Sequence, residues 1–136
     1  MTRLNDHRLT FVVLPDQFAV CRLDPVSPIP AWASAGTFTS ITRTPDELSI
    51  VCPQSAVPDA ERCERAWRGL RIQGTLDFSL IGVVATFSRT LSEAGIGVLV
   101  LSTFDTDYVL VKEIDLVKAV AALRAAGHAV ELQTQR

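Results

Sequence analysis

The chain has 136 residues, of which 48% are hydrophobic and 21% charged, and its formal net charge is −2. This composition predicts a folded chain, either one ordinary domain or two very small ones, rather than a disordered segment. The weak negative charge and the scattered basic residues argue against nucleic-acid binding. No apolar stretch approaches the ~20 residues that a membrane-spanning helix needs, so we expect no membrane span.

The amino terminus and the cysteines indicate a reducing compartment. The histidines and glycines give no sign of a metal site or a bound cofactor. The start, Met-Thr-Arg-Leu-Asn-Asp, lacks the basic-then-apolar order of a secretory signal, so we expect a cytoplasmic protein. Cys21, Cys52 and Cys63 are odd in number and form no CxxC pair, which favours reduced, buried or idle thiols. His7 and His128 have no partner at metal-ligand spacing, and no phosphate-binding glycine loop is present.

The first quarter of the chain predicts a hairpin followed by a proline-rich connector. Residues 9–14 and 17–23 are apolar-rich and flank the turn dipeptide Pro15-Asp16. The prolines that follow leave room only for a short helix at Ala31–Ser34. Residues 37–42 and 47–52 predict a second strand pair around the turn at 43–46.

A helix is predicted to begin at Pro58, with Asp59 and Glu61 in its first turn. The mixed charge run at 61–65 is interpreted as its solvated face. A strand at 70–74 follows.

The second half predicts a regular alternation of strands and helices. Apolar residues at near-3.6 spacing indicate a helix that ends before Gly95, namely Leu80, Val84, Phe87 and Leu91. Residues 96–101 and 108–111 suit two paired strands, and a last amphipathic helix ends at Gly127. With Ala129–Leu132 closing the sheet, the order is βαββαβ, which is the ferredoxin-like order.

A degenerate repeat connects the two halves. A shift of 60 positions lays Thr42 on Ser102, Glu47 on Asp107 and Leu48 on Tyr108. In both copies a strand ends in a hydroxyl residue, a four-residue connection follows, and an acid opens the next strand. We interpret this as a duplication whose first copy has lost most of its first helix.

Two stretches carry a resemblance to a known family, FTSITRTPDELSIVCP at 38–53 and WRGLRIQGTLDFSLIGVVATFSRTLSEAGIGVLVLSTFDTDYVLVKEIDL at 67–116. They resemble the small ACT-domain proteins related to the CASTOR arginine sensors and to the regulatory ACT domains of aspartate kinases. The resemblance implies an α+β fold with ferredoxin-like βαββαβ (ACT) units in tandem, antiparallel sheets and helices on one face. It also implies a degenerate unit over residues 1–66 and a complete unit over 67–136.

The resemblance further implies a non-enzymatic sensor that binds an amino acid or similar metabolite at an interface between ACT units. We expect a homodimer with a possible downstream protein target, and neither nucleic acid nor membrane as a partner. The implied site residues lie on the turn before the first helix of the complete unit and on the hairpin after it: Asp77, Phe78, Ser79, Gly82, Ser102, Thr103, Phe104, Thr106 and Asp107.

The chemistry of these residues suits an amino acid. Asp107 can accept a charge-assisted hydrogen bond from an ammonium, with Thr106 adding a hydroxyl. Backbone N–H groups between Phe78 and Ile81, at a helix start, suit a carboxylate. Plainer interpretations stay open, since Asp77 can be a helix cap and Gly82 a packing residue.

Other plain interpretations also stay open, with Asp105 as a turn residue and Phe104 as an ordinary aromatic. The alternative function is a structural or protein-interaction module with a vestigial pocket. An enzyme ranks third, because no nucleophile or base has a visible partner.

Overall fold

The structure, a computed structural model, describes residues 8–73 and 82–133. Strands and α-helices follow along the chain as β1 (Thr10–Leu23), β2 (Ser40–Arg43), β3 (Leu48–Pro53), β4 (Cys63–Ile72), α1 (Val83–Glu93), β5 (Leu99–Ser102), β6 (Asp107–Lys112), α2 (Leu116–Ala125) and β7 (Ala129–Leu132). Single 3₁₀ turns occupy Ala31–Ser34, Gln54–Ala56 and Glu113–Asp115.

The chain forms two compact units, which we call the central unit (residues 16–67) and the C-terminal unit (the described residues up to Pro15 and from Arg68 onward). The boundaries between them fall within β1 and within β4. None of the helices formed by the described residues has the length and hydropathy of a membrane span.

The C-terminal unit confirms the predicted ferredoxin-like order, from β4 through α1, β5, β6 and α2 to β7. Both predicted helix stops are confirmed, since Gly95 and Gly127 have the positive φ angles of 78° and 96° that a residue with a Cβ rarely adopts. The apolar faces of the helices pack on the sheet around Phe11, Phe87 and Leu123, and the rings of Phe11 and Phe87 meet edge to face at 6.0 Å.

The predicted hairpin at Pro15-Asp16 is wrong, because β1 runs through it without a break. Its two ends have different partners: residues Thr10 to Val13 pair in parallel with β7, and Phe18 to Leu23 pair antiparallel with β3. Proline is tolerated in a strand where the ladder does not need its N–H group. Pairing on both ends therefore overrides the turn propensity of the dipeptide.

The helix predicted to begin at Pro58 is also wrong. Residues 58–61 form only a turn, closed by the Glu61 N–H donating to the Pro58 carbonyl at 3.2 Å, and β4 begins at Cys63. The Arg22 N–H donates to the Arg62 carbonyl at 3.1 Å, which holds the start of β4 beside β1. Residues 70–72 of the strand predicted at 70–74 are the end of this longer strand, and Gly74 lies outside the described residues.

The central unit is built on strands and 3₁₀ turns. Its sheet carries β2, β3 and the second part of β1, and the predicted short helix at Ala31–Ser34 is confirmed as a 3₁₀ turn. The apolar cluster under this sheet contains Leu48, Ile50 and Cys52, all fully buried.

The hairpins of the two units match in strand length and ladder register at a shift of 59 positions, so the alignment at 60 positions is wrong by one residue. Ser40–Arg43 then coincides with Leu99–Ser102, and Leu48–Pro53 coincides with Asp107–Lys112. The ladder register agrees, since the pair closing each loop is Arg43 with Leu48 in one copy and Ser102 with Asp107 in the other. The structural counterpart of Asp107 is therefore Leu48, not Glu47.

Candidate functional site

The loop of the β5–β6 hairpin is closed by a threonine. The Thr103 N–H donates to the Thr106 carbonyl at 2.8 Å, the Thr103 hydroxyl donates to the same carbonyl at 3.0 Å, and the Thr106 N–H donates back to that hydroxyl at 3.2 Å. Thr44 and Glu47 form the equivalent bonds in the first copy. Thr103 is thus a turn-forming residue whose hydroxyl is already engaged.

Asp107 is a carboxylate at a core position. It opens β6 with 9% of its surface exposed, and the Ser102 hydroxyl donates to its Oδ1 at 2.6 Å from the directly opposite position on β5. In residues 8–73 and 82–133, Ser102 is its one hydrogen-bond donor and no basic side chain forms an ion pair with it. The sequence of 74–81 contains no lysine, arginine or histidine either.

Burying an ionised carboxylate costs several kcal/mol of desolvation free energy, unless a cation or several hydrogen-bond donors compensate for it. One hydroxyl donor offsets only about 1.5–3 kcal/mol of this. The environment of Asp107 is therefore chemically suited to a cation brought by a ligand.

Thr106 fastens the hairpin to the end of β4. It is buried, and its hydroxyl donates to the Ile72 carbonyl at 2.8 Å. Ile72 lies two residues before segment 74–81, which contains most of the predicted turn residues. The Thr106 hydroxyl has its proton engaged and keeps lone pairs with which to accept a hydrogen bond.

The turn side of the predicted site is described only at Gly82, because Asp77, Phe78, Ser79 and Ile81 lie outside the described residues. Gly82 is the N-cap of α1 at φ 86°, and its carbonyl accepts from the Thr86 N–H at 2.8 Å and the Thr86 hydroxyl at 2.7 Å. Within the described residues no atom lies within 4 Å of where a Cβ would stand. Backbone conformation rather than close packing thus accounts for glycine here.

Phe104 lies in the hairpin loop with 81% of its surface exposed, next to the exposed Asp105. The structure therefore joins the exposed Ser102 to the buried Asp107 by a hydrogen bond and ties the buried Thr106 to Ile72, while Phe104 is exposed in the loop.

The comparison of the two hairpins shows that this polar set belongs to the C-terminal unit alone. The counterpart of Asp107 is the fully buried Leu48, and that of Ser102 is Arg43. The Arg43 guanidinium donates to the carbonyls of Pro25 and Ser27 and so fastens its own connector. The signal that aligns the copies correctly is the loop pattern Thr-x-Asp, shared by 44–46 and 103–105.

His128 has a structural environment that sequence analysis did not anticipate. Its Nδ1 accepts from the Leu9 N–H at 3.1 Å, and its ring meets Phe11 edge to face at 5.6 Å. Burial, and secondarily the charge of Arg8, lowers the pKa of His128 below its ordinary value, so the neutral ring is favoured. No group of three or more His, Cys, Asp or Glu side chains in the described part of the chain is arranged to hold a metal ion.

Two family models match the chain. One, described as an ACT domain, matches residues 62–125, and the other, described as an N-terminal domain, matches residues 16–60. Among proteins with curated descriptions, none matches the sequence.

Solved structures resemble most of the chain. A crystal structure of a protein from Agobacterium tumefaciens is 40% identical, with 95% of this chain and 96% of that one covered and a TM-score of 0.89. The ligand-free regulatory subunit of aspartate kinase from Thermus thermophilus is 12% identical, with 90% and 95% covered and a TM-score of 0.58. Aspartate kinase from Clostridium acetobutylicum is 14% identical, with 82% and 32% covered and a TM-score of 0.60. The two kinases share the fold alone with this chain.

Proposed function

This chain belongs to the family of small ACT-domain proteins, and from that premise we propose that it is a non-enzymatic regulatory protein that binds an amino acid or a related small metabolite. The fold it shares with a regulatory subunit of aspartate kinase supports a regulatory rather than a catalytic role. The proposed ligand carries an ammonium group, which the Asp107 carboxylate accepts.

The observation that carries the proposal is the carboxylate at a core position. Asp107 occupies the place that Leu48 fills in the other hairpin, and Ser102 bonds its Oδ1 while leaving its other oxygen unbonded by the described residues. We expect an apolar residue at this position to leave the unliganded protein at least as stable, since Leu48 fills the equivalent position in the first hairpin. We propose that a bound cation explains the carboxylate at this position.

The rest of the ligand would be held by the groups that surround this carboxylate. The Thr106 oxygen can accept a second ammonium proton, and Ser102 orients the carboxylate. We propose that the backbone N–H groups of 78–81, with the close backbone approach that Gly82 allows, receive the ligand carboxylate. Asp77, Phe78, Ser79 and Ile81 complete this side of the proposed site.

We propose that a second copy of the chain supplies the opposing ACT unit, so that the working form is a cytoplasmic homodimer. Two exposed apolar side chains, Ile114 in the 3₁₀ turn before α2 and Val117 in the first turn of α2, are available to such an interface or to a downstream protein. Binding of the ligand would then act on the second copy or on the downstream protein through this interface.

The test is a ligand screen in matched pairs. Each of the twenty amino acids is compared by thermal shift and calorimetry with its analogue that lacks the amino group. An amino acid at 100 times its dissociation constant should add about 2.7 kcal/mol of stability, whereas the analogue should add much less.

Two results would contradict the proposal. Equal binding of an amino acid and its deaminated analogue would contradict the role of Asp107 as the ammonium acceptor. A protein that responds to none of these compounds would instead favour the interaction module.

A further inference from the structure

Three cysteines from three different strands converge under the sheet of the central unit. Cys21 on β1 is 1% exposed, Cys52 on β3 is fully buried, and Cys63 at the start of β4 is partly exposed. All three belong to or pack against the same apolar cluster. The sequence, in which they are far apart and form no CxxC pair, gives no sign of this arrangement.

The backbone hydrogen bonds between β1 and β4 indicate that Cys21 and Cys63 lie directly opposite each other. β1 and β4 are neighbours, and they run antiparallel, because Arg22 bonds Arg62 near one end of β4 and Gln73 bonds Thr10 just beyond the other. The Arg22 N–H donates to the Arg62 carbonyl, so Arg22 and Arg62 form a hydrogen-bonded pair. Because bonded and non-bonded pairs alternate in an antiparallel ladder, the next pair, Cys21 and Cys63, is a non-hydrogen-bonded pair. Such pairs have a Cα separation of about 4.5 Å, within the ~4.4–6.8 Å that a disulfide spans.

Cys52 lies on the same face but not in bridging position. It is opposite Ala19, two residues along β1 from Cys21. Diagonal neighbours of this kind are about 7–8 Å apart, beyond the ~7 Å limit at which two cysteines can be joined without backbone movement. Of the three thiols, Cys21 and Cys63 are therefore the pair that can form a bond.

The pKa shifts of the thiols agree with the pairing of Cys21 with Cys63 and distinguish Cys63 from the two enclosed thiols. Burial, the neighbouring Cys63 and Cys52, and a hydrogen bond with the Cys63 thiol raise the pKa of Cys21 to about 12. Burial also raises the pKa of Cys52, with Cys63 adding to the shift. An oxidant from solution therefore meets Cys63 first, because the other two thiols are enclosed and disfavour the reactive thiolate.

We propose that Cys63 and Cys21 form a thiol modification site, at which a hydroperoxide closes a reversible cross-strand disulfide. The Cys63 thiolate attacks an oxygen of hydrogen peroxide, the O–O bond breaks, and hydroxide leaves, so that Cys63 becomes a sulfenic acid. The Cys21 sulfur then attacks the Cys63 sulfur, an S–S bond forms, and the S–O bond breaks. The departing hydroxide takes up the Cys21 proton as water.

The product ties β1 to β4 within the central unit, and a thiol reductant reverses it. Disulfides of cytosolic proteins are usually transient and redox-sensing, which fits a bond formed by peroxide and broken by reductant. The site is separate from Asp107, so this proposal does not depend on the proposed ligand.

The chain offers a direct chemical test, because trypsin places each cysteine in its own peptide, at 9–22, 44–62 and 63–65. Reduced protein is treated with hydrogen peroxide, alkylated and digested without reductant. We expect peptides 9–22 and 63–65 joined, lighter than their sum by two hydrogens, and separated again by dithiothreitol. Cys63→Ser should abolish this species, and the matched control Cys52→Ser should retain it.

Two results would overturn the proposal. One is a product that joins peptide 44–62 to either of the others, which would make Cys52 the partner. The other is Cys63 oxidised to sulfinic or sulfonic acid while Cys21 stays fully alkylatable after unfolding. Melting curves of both variants, measured before oxidation, show that loss of the linked species is not caused by unfolding.

Discussion

Replacing Asp107 by leucine, the residue that fills the same position in the first hairpin, separates a binding role from a structural one. The substitution removes the Ser102 hydrogen bond, which contributes about 1.5–3 kcal/mol as a bond to a charged group. It also removes the desolvation cost of the carboxylate, which is several kcal/mol for a buried ion. Ser102 is exposed and can bond to water once its partner is gone.

The free energy of unfolding without ligand should therefore stay unchanged or rise by about 1–2 kcal/mol in Asp107→Leu, as for other buried charges replaced by apolar residues. The ligand response should behave in the opposite way. Losing about 2 kcal/mol of charge-assisted bonding weakens the affinity about 30-fold. At a ligand concentration that adds about 2.7 kcal/mol to the wild type, the variant should then gain only about 0.9 kcal/mol.

Urea unfolding with and without the bound amino acid measures both quantities. Asp105→Asn is the matched control, because Asp105 is an exposed carboxylate in the loop just before β6, two residues from Asp107, and its replacement should leave both quantities unchanged. Destabilisation of the unliganded Asp107→Leu protein by about 3 kcal/mol or more, the cost of breaking a buried ionic contact, would show that the carboxylate is structural. An undiminished ligand response would place the ligand elsewhere.

Three further predictions concern stability. Thr106→Val should lower the free energy of unfolding by about 1–2 kcal/mol in urea titrations, because the Ile72 carbonyl loses its donor. The pKa of His128 is lowered in the folded protein, where its ring accepts a hydrogen bond from the Leu9 N–H. The wild type should therefore lose stability as the pH falls below about 6.5, because the unfolded chain then binds a proton more readily than the folded one. His128→Phe should remove this part of the pH dependence of the unfolding free energy. Gly82→Ala should cost about 1 kcal/mol through its positive φ alone, seen as a lower melting temperature.

Local signals were sufficient for most of the C-terminal unit. The helix periodicity around Phe87 and Leu91 and the stops at Gly95 and Gly127 depend on side chains within one or two turns, and those elements are where the sequence predicts them. The connection between β5 and β6 was also predictable, since its turn chemistry lies within four residues.

The errors fall where distant pairing decides the structure. Pro15-Asp16 favours a turn in isolation, yet β1 continues through it because each end of the strand bonds to a different neighbour. The residues after Pro58 favour a helix start by charge, yet Cys63–Ile72 is a strand that pairs with β1. Strand partners far apart in sequence leave no local pattern, so neither outcome was accessible from periodicity.

The one-residue error in the repeat has the greatest consequence for function. In a strand, a slip of one residue moves a side chain to the opposite face, so aligning Asp107 with Glu47 compares two acids that occupy different environments. The observed register instead sets Asp107 against the fully buried Leu48, and Thr106 against Glu47. Two copies of one hairpin thus differ by a carboxylate in place of a core leucine. Because the first hairpin folds with leucine at this position, the carboxylate in the second is not explained by stability, and the cation binding that we propose provides an explanation.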